Sequence, residues 1–294
     1  MPGQLLDTVV FVASVPSIFV YLIYLITLHR CRNRTPFNGS FFRLLFHIGI
    51  FDVLMMIERF FLNRCPKRAW LGMDEVVMRA PYFFGKLHIV LFWYLIKPQV
   101  LGTLLLTVNR YFVIVRHHQW SRNQSLCMIA SVYLMPLPFN IPLWTQRFYF
   151  STNCTQGVLL YYENTQFQWY YNAVCFAQCV LLTAFGCFCY VGILRTNRKS
   201  RSNINPGSES RKGVKADKNI LFIGVVLTVL TFECAFACGS MAYANNPAFL
   251  KAAMPWFDVG TELYTWINPY CLLITSYRLR QRCVQTLKCQ KLTA

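Results

Sequence analysis

Acidic residues are scarce in this sequence, and charged residues of both signs together make up little of it. Only 11 of the 294 residues are Asp or Glu, against 29 Lys or Arg, and charged residues amount to 14% of the chain. A soluble globular domain carries about 25% charged residues. This shortage, combined with 55% apolar residues, excludes a pair of soluble domains and favours a membrane protein.

Several signatures of enzymes and metalloproteins are also missing. The chain has five histidines, of which His117 and His118 are adjacent, and neither a GxSxG nor an HExxH sequence occurs. The 13 cysteines include no CxxC pair, and those inside apolar blocks are most simply small packing residues. We therefore expect no enzyme activity, no metal site and no cofactor.

Long apolar blocks are what the sequence has in abundance. A helix needs about 20 apolar residues to cross the ~30 Å hydrocarbon layer of a bilayer. Seven blocks have this character, at about residues 5–28, 41–62, 88–115, 127–144, 169–194, 219–243 and 255–276. We predict an all-α membrane protein with one seven-helix transmembrane domain and a short cytoplasmic tail, residues 277–294.

The distribution of basic residues predicts the orientation of these spans. Most Lys and Arg lie just after the first block, in the 195–218 loop and after Ser276. Cytoplasmic loops carry an excess of Lys and Arg, so we place the N-terminus outside and the C-terminus inside. One basic cluster, between Arg64 and Lys86, is an exception on the outer side. Because the net charge of +18 lies mostly between apolar blocks, we expect no nucleic acid partner.

Two short motifs lie near the inner ends of their spans. Asn109, Arg110 and Tyr111 end the third span. Arg and Tyr at the end of a span are ordinary interfacial residues. At the inner end of the third of seven spans, however, the tripeptide is stronger evidence for a functional site. In the last span Pro269 frees a backbone carbonyl and creates a bend, and Asn268 can satisfy the groups that the bend releases.

A buried polar switch is predicted between the second and last spans. At about 1.5 Å per residue, Asp52 lies roughly 15 Å above the inner face, and Asn268 roughly 12 Å above it. The two side chains could therefore meet inside the bundle. An ionisable residue at that depth is costly and usually functional, so we assign a switching role to Asp52, Asn268, Pro269 and Tyr270, with simple helix packing as the alternative.

The chain resembles the serpentine chemoreceptors of nematodes, in the superfamily that contains the class gamma and class V receptors. The resemblance implies a rhodopsin-like seven-helix bundle coupled to a heterotrimeric G protein. It also implies a plasma-membrane location, in the sensory cilium of a chemosensory neuron, and small-molecule cues as ligands. The residues that carry it are Pro16, Ser17, Pro36, Phe37, Asp52, Asn109, Arg110, Tyr111, Trp120, Asn268, Pro269 and Tyr270.

The chain departs from rhodopsin-like receptors at two of these motifs. Such receptors carry Asp or Glu before the Arg, where this chain has Asn109, so a simple ionic lock on Arg110 is in doubt. Their last-span motif has two residues between Pro and Tyr, whereas Tyr270 directly follows Pro269. For coupling, we expect a G-protein tail to dock in a cleft around Arg110, whose rim carries Arg195 and Lys215.

The outer half of the bundle holds charges that favour a ligand site. Lys97, Glu233, Asp258 and Glu262 all fall inside apolar blocks. Buried charges usually pair, so one interpretation is that Lys97 pairs with Glu262 or Glu233. The other is that one of these charges meets a polar ligand between apolar walls, for which the candidates are Phe92, Trp93, Trp256 and Trp266.

Five further positions are candidates for covalent modification. Cys65 and Cys154 fall in outer loops, where thiols tend to pair, and Asn153 begins an Asn-Cys-Thr glycosylation sequon. Cys283 and Cys289 follow the last span among basic residues and are candidates for palmitoylation. An ion channel or transporter, with intramembrane charges along its pathway, is the alternative to a receptor.

Overall fold

The computed structural model describes residues 2–34, 37–153, 157–202 and 247–288. Five helical segments in these ranges are long and apolar enough to cross a membrane: Val12–Cys31, Ser40–Lys67, Pro81–Val115, Arg122–Thr145 and Thr165–Thr196. The prediction of a helical membrane protein is therefore confirmed in this coarse form. The predicted sixth span, residues 219–243, lies outside the described residues.

Helices α1 and α2 are followed by a short α3 and by the 35-residue α4. A broken pair, α5 and α6, leads to a two-stranded hairpin and then to α7, and the described part of the chain ends with α8 and α9. The bounds are α1 Pro2–Cys31, α2 Ser40–Lys67, α3 Met73–Arg79, α4 Pro81–Val115, α5 Arg122–Leu134, α6 Pro136–Thr145, β1 Phe148–Asn153, β2 Gly157–Tyr162, α7 Thr165–Ser202, α8 Pro247–Thr275 and α9 Tyr277–Leu287.

Helix α2 contains a π-helical turn near its C-terminal end. Residues Arg59–Arg64 form this turn between the α-helical segments Ser40–Glu58 and Cys65–Lys67. A π-helical turn is uncommon, and it often occurs at functional sites. Here it contains two arginines that are both buried, Arg59 at 5% and Arg64 at 9% exposure.

The predicted fourth span is divided into two helices. Helix α5 ends at Leu134 and α6 begins at Pro136. Proline has no N–H to donate, so Pro136 removes a backbone hydrogen bond from the helix, while Met135 before it keeps helical dihedral angles of φ −60° and ψ −33°. The C-terminal part of this span, α6, continues beyond this break and lies against α4, where it places Phe139 and Asn140 beside Lys97.

A β-hairpin lies between α6 and α7, in a segment for which the sequence analysis predicted only a loop. β1 and β2 pair antiparallel, with Phe148 opposite Tyr162 and Asn153 opposite Gly157. The hairpin packs on the N-terminal part of α4. We call the end of the bundle that carries the hairpin the hairpin end, and the opposite end, where α4 finishes, the Arg110 end.

Helix α4 lies at the centre of the bundle, and two of its buried polar contacts join it to α2 and α8. Gln99 is completely buried, and its Nε2 donates to the Phe51 carbonyl of α2 at 3.3 Å. The Thr103 hydroxyl lies 3.0 Å from the Tyr264 hydroxyl of α8. Hydrogen bonds between buried groups align helices in a membrane, where water cannot replace them. These contacts fix the register of α4 against its neighbours.

Candidate functional site

At the Arg110 end, Asn109 and Arg110 both contact the first turn of α2. Asn109 is 1% exposed, and its Nδ2 donates to Ser40 Oγ at 3.1 Å. The Arg110 guanidinium lies 3.8 Å from the centre of the Phe41 ring, a distance at which the ring face attracts the cation. The residue that precedes Arg110 therefore binds α2 through its amide, and Arg110 is held on an aromatic ring.

Tyr111 and Arg195 lie on neighbouring helices at the same end of the bundle. A Cβ added at Gly192 of α7 would lie 2.6 Å from Tyr111 Cε2, so only glycine allows the ring to approach this closely. Arg195 follows three residues later on α7 and is exposed. The structure thus brings four of the five predicted coupling residues to one end of the bundle. Lys215 lies outside the described residues.

Asp52 of the predicted switch binds α1. Its side chain is completely buried, and its Oδ2 accepts a hydrogen bond from the Tyr21 hydroxyl. The expected contact between Asp52 and Asn268 remains a prediction, because the Asn268 side chain lies outside the described residues. The contact with Tyr21 was not foreseen from the sequence.

The last span also contacts α1. The Tyr270 hydroxyl lies 3.0 Å from Ser17 Oγ, and Pro269 is buried. Ser17 and Tyr21 are four residues apart and therefore lie on one face of α1. This face of α1 therefore contacts both predicted switch segments, Asp52 in α2 and Tyr270 in α8. Two hydroxyl residues one turn apart in an apolar block were a signal in the sequence that α1 takes part in polar contacts.

A cluster of buried charges occupies the hairpin end. Glu262 of α8 is 2% exposed, and its Oε1 lies 2.8 Å from Arg64 Nη2 and 3.4 Å from Arg59 Nε. Arg64 Nη1 also donates to Ser14 Oγ of α1 at 2.7 Å. The π-helical turn of α2 therefore connects α1 and α8 through two guanidinium groups.

Helix α4 joins the same cluster through a histidine. Glu58 of α2 and His88 of α4 are both buried, and Glu58 Oε1 contacts His88 Nδ1. The His88 ring stacks on Phe150 of the hairpin, with 5.9 Å between the ring centres. Arg59 lies 5.7 Å from the centre of the Phe92 ring. We call Glu58, Arg59, Arg64, His88 and Glu262 the charge cluster.

The hairpin covers this cluster through a close approach of two backbones. A Cβ added at Gly85 of α4 would lie 2.9 Å from the Phe148 carbonyl carbon. Only glycine therefore lets β1 lie directly on α4. The contact positions Phe150, the third residue of β1, over His88 and removes that ring from solvent.

The structure does not pair Lys97 with Glu262, while the alternative pairing with Glu233 lies outside the described residues and stays a prediction. Glu262 binds Arg64 and Arg59 instead, because the π-helical turn brings both guanidinium groups to its carboxylate. Phe92, predicted as a wall of the ligand site, contacts Arg59 and so belongs with the charge cluster. Glu58, Arg59 and His88 were not predicted as site residues, although charged residues inside an apolar block are the signal that marks such sites.

Lys97 lies among aromatic residues of α4, α6 and α7. Its Nζ donates to the Tyr171 hydroxyl at 2.7 Å and to Asn140 Oδ1 at 3.4 Å. The ammonium also lies 4.9 Å, 5.3 Å and 6.0 Å from the ring centres of Tyr171, Phe139 and Trp93. We call these five residues the Lys97 group. Of the other predicted ligand residues, Trp266 is buried, whereas Glu233 and the side chains of Asp258 and Trp256 lie outside the described residues.

The cysteines predicted to be modified are buried where the structure describes them. Cys65 is 0% exposed, and its predicted disulfide partner Cys154 lies outside the described residues, as does Cys289. Cys283 of α9 is 6% exposed, and burial raises the pKa of its thiol. Palmitoylation of Cys283 would require α9 to turn this face outward. Asn153 is the last residue of β1.

Apolar helices of spanning length, joined by buried polar contacts, define a helical membrane protein that crosses the bilayer several times. The family described as Serpentine type 7TM GPCR chemoreceptor Srv matches residues 10–289 of the sequence. This chain belongs to that family of receptors, which confirms the resemblance to nematode serpentine chemoreceptors.

A curated relative supports the same assignment. The chain is similar to Serpentine receptor class V-1 of Caenorhabditis elegans, with 26% identity over 152 residues. The matched region covers 49% of this chain and 46% of the relative. The similarity therefore extends over about half the length of the curated relative.

Proposed function

We propose that this chain is a chemosensory receptor that binds a small molecule from the extracellular side and activates a heterotrimeric G protein. The observation that carries the proposal is the family match over residues 10–289, together with Arg110 at one end of the central helix. In this proposal the hairpin end faces outward, the Arg110 end faces the cytoplasm, and residues 219–243 form the sixth span of a rhodopsin-like bundle.

The contacts at the Arg110 end support a coupling role. The Arg110 guanidinium lies over the Phe41 ring, and a cation–aromatic contact at a partly exposed site is worth about 0.5–1 kcal/mol. A restraint of this size is weak enough for a docking peptide to displace. We propose that the ligand favours a second state of the bundle, in which Arg110 leaves Phe41 and contacts the C-terminal tail of a Gα subunit beside Tyr111 and Arg195.

The remaining features extend this proposal. We place the receptor in the plasma membrane of a sensory cilium, with Asn153 glycosylated, Cys65 bridged to Cys154 and Cys289 palmitoylated on the inner side. Asp52, Asn268, Pro269 and Tyr270 form the switch between the two states. A channel or transporter is not favoured, because the family to which the chain belongs is one of chemoreceptors.

The test is G-protein activation in cells that express the chain at their surface and are challenged with a panel of small volatile and water-soluble cues. We expect Arg110→Ala to abolish the response while surface expression and ligand binding persist. Arg116→Ala is the matched control, because Arg116 is an exposed arginine just beyond the same helix. A ligand-gated current that survives Arg110→Ala, without any G-protein response, would contradict the proposal.

A further inference from the structure

Lys97 is a buried cation whose neighbours are hydroxyl, amide and aromatic groups. Within the described residues, no carboxylate lies at ion-pair distance from Lys97 Nζ; the groups that do contact it are Tyr171, Asn140 and three ring faces. An ammonium inside the membrane is costly unless an anion compensates it. Within the Lys97 group, Trp93, Asn140 and Tyr171 are buried, Lys97 is partly exposed and Phe139 is exposed.

Three carboxylates are buried among the described residues, and each contacts another group; Asp52, which lies close to Lys97 in depth, accepts a hydrogen bond from the Tyr21 hydroxyl. Glu262 binds Arg64 and Arg59, and Glu58 contacts His88. Moving Glu262 to Lys97 would break a buried ion pair, and moving Glu58 would leave His88 Nδ1 without its buried contact, so both changes are unfavourable. These carboxylates are therefore not placed to neutralise the positive charge of Lys97.

The Lys97 group also has a surplus of hydrogen-bond donors. Asn140 Nδ2 and Trp93 Nε1 are buried, and neither has a hydrogen-bond partner among the residues that the structure describes. Asn140 Oδ1 already faces Lys97 Nζ and the Tyr171 hydroxyl. A buried donor without an acceptor is unfavourable. An ammonium, an amide N–H and an indole N–H in one group match a ligand that brings acceptor oxygens and negative charge.

We propose that the Lys97 group binds the carboxylate of a small organic acid, and that this acid is the class of cue the receptor detects. Lys97 supplies the ion pair, while Asn140 and Tyr171 hold the ammonium in place. The rings of Trp93 and Phe139 flank the ammonium and match an apolar body attached to the carboxylate. This inference rests on the proposed receptor function, whose ligand it identifies by chemical class.

Binding can be measured without any G protein, so failure of this inference is distinguishable from failure of coupling. The purified chain in lipid nanodiscs is titrated with phenylacetate and octanoate, and its unfolding midpoint is recorded. The uncharged isosteres phenylacetamide and octanamide are the matched controls. We expect at least one acid to raise the midpoint and neither amide to do so.

Variants of Lys97 assign the effect to this side chain. We expect Lys97→Met to weaken binding of the acid by about thirtyfold or more and Lys97→Arg, which keeps the charge, to retain part of it. The ligand-free midpoint of each variant shows whether the chain still folds. The proposal is overturned if neither acid shifts the wild-type midpoint, if the amides shift it equally, or if the shift survives Lys97→Met.

Discussion

The charge cluster and the Lys97 group both bury charge inside the bundle, but they differ in how that charge is compensated. In the charge cluster, Glu262 lies between two guanidinium groups and Glu58 contacts His88. In the Lys97 group, the contacts of the ammonium within the described part of the chain are to neutral oxygens and ring faces.

The difference indicates two kinds of buried charge. Charges that already contact each other hold helices together, since removing one leaves the other buried without its partner. A charge surrounded by neutral groups adds little to cohesion, and its neighbours are arranged to receive an anion from elsewhere. We therefore interpret the charge cluster as a structural clamp on α1, α2, α4 and α8, and the Lys97 group as the ligand site.

The largest expected effect is the loss of a guanidinium from the clamp. Arg64→Met removes the 2.8 Å contact with Glu262 and the 2.7 Å contact with Ser14, so we expect the free energy of unfolding to fall by about 3–5 kcal/mol. Thermal unfolding in detergent measures it. The control is Arg79→Met, at an exposed arginine of α3, which should change the free energy of unfolding by less than about 0.5 kcal/mol. Equal losses at both positions would show that Arg64 does not act as part of a structural clamp.

The second effect concerns the contact between α2 and α4. A double-mutant cycle with Glu58→Gln and His88→Gln should give a coupling energy of about 1–3 kcal/mol, because the two side chains touch in a buried site. The same cycle applied to Arg147 and Glu163, which are exposed and 4.0 Å apart, should give about 0.2–1 kcal/mol. Coupling of the buried pair no larger than that of the exposed pair would show that Glu58 and His88 are not part of the clamp.

The smallest expected effect concerns the hydroxyl that positions the ammonium in the Lys97 group. Tyr171→Phe removes the hydroxyl that lies 2.7 Å from Lys97 Nζ, and we expect the affinity for phenylacetate to fall about threefold to tenfold. Tyr170→Phe changes the adjacent, exposed tyrosine and should leave the affinity unchanged. An unchanged affinity in Tyr171→Phe would mean that the hydroxyl does not position the ammonium.

Much of the helical architecture could be predicted from the sequence, because block length is a local property. A block of about 20 apolar residues forms a helix in a membrane whatever its neighbours are. The observed helices nevertheless extend past the apolar blocks: α4 begins at Pro81 rather than at residue 88, and α7 continues to Ser202. Polar residues at a helix end add little to an apolar count, so hydropathy underestimates the length.

The hairpin and the partners of buried charges depend on residues far apart in the chain. Aromatic and β-branched residues in Phe148–Asn153 and Gly157–Tyr162 were a local signal for strands. The position of the hairpin, however, also depends on its contact with α4 at Gly85, which is distant in sequence. The partners of Glu262 follow from the π-helical turn at Arg59–Arg64, which hydropathy does not detect. Asn109, Arg110 and Tyr111 are consecutive in the chain, so their location at the same end of the bundle could be predicted from the sequence.

The contrast between the two regions is tested most directly by comparing the ligand-free unfolding midpoints of Glu262→Gln and Lys97→Met in nanodiscs. Glu262→Gln removes the carboxylate that joins two guanidinium groups, and the midpoint should fall by about 6 °C or more. Lys97→Met replaces a costly buried charge by an apolar side chain of similar length, so the midpoint should stay the same or rise. A fall in Lys97→Met as large as that in Glu262→Gln would contradict the account, because Lys97 would then be part of the structural clamp.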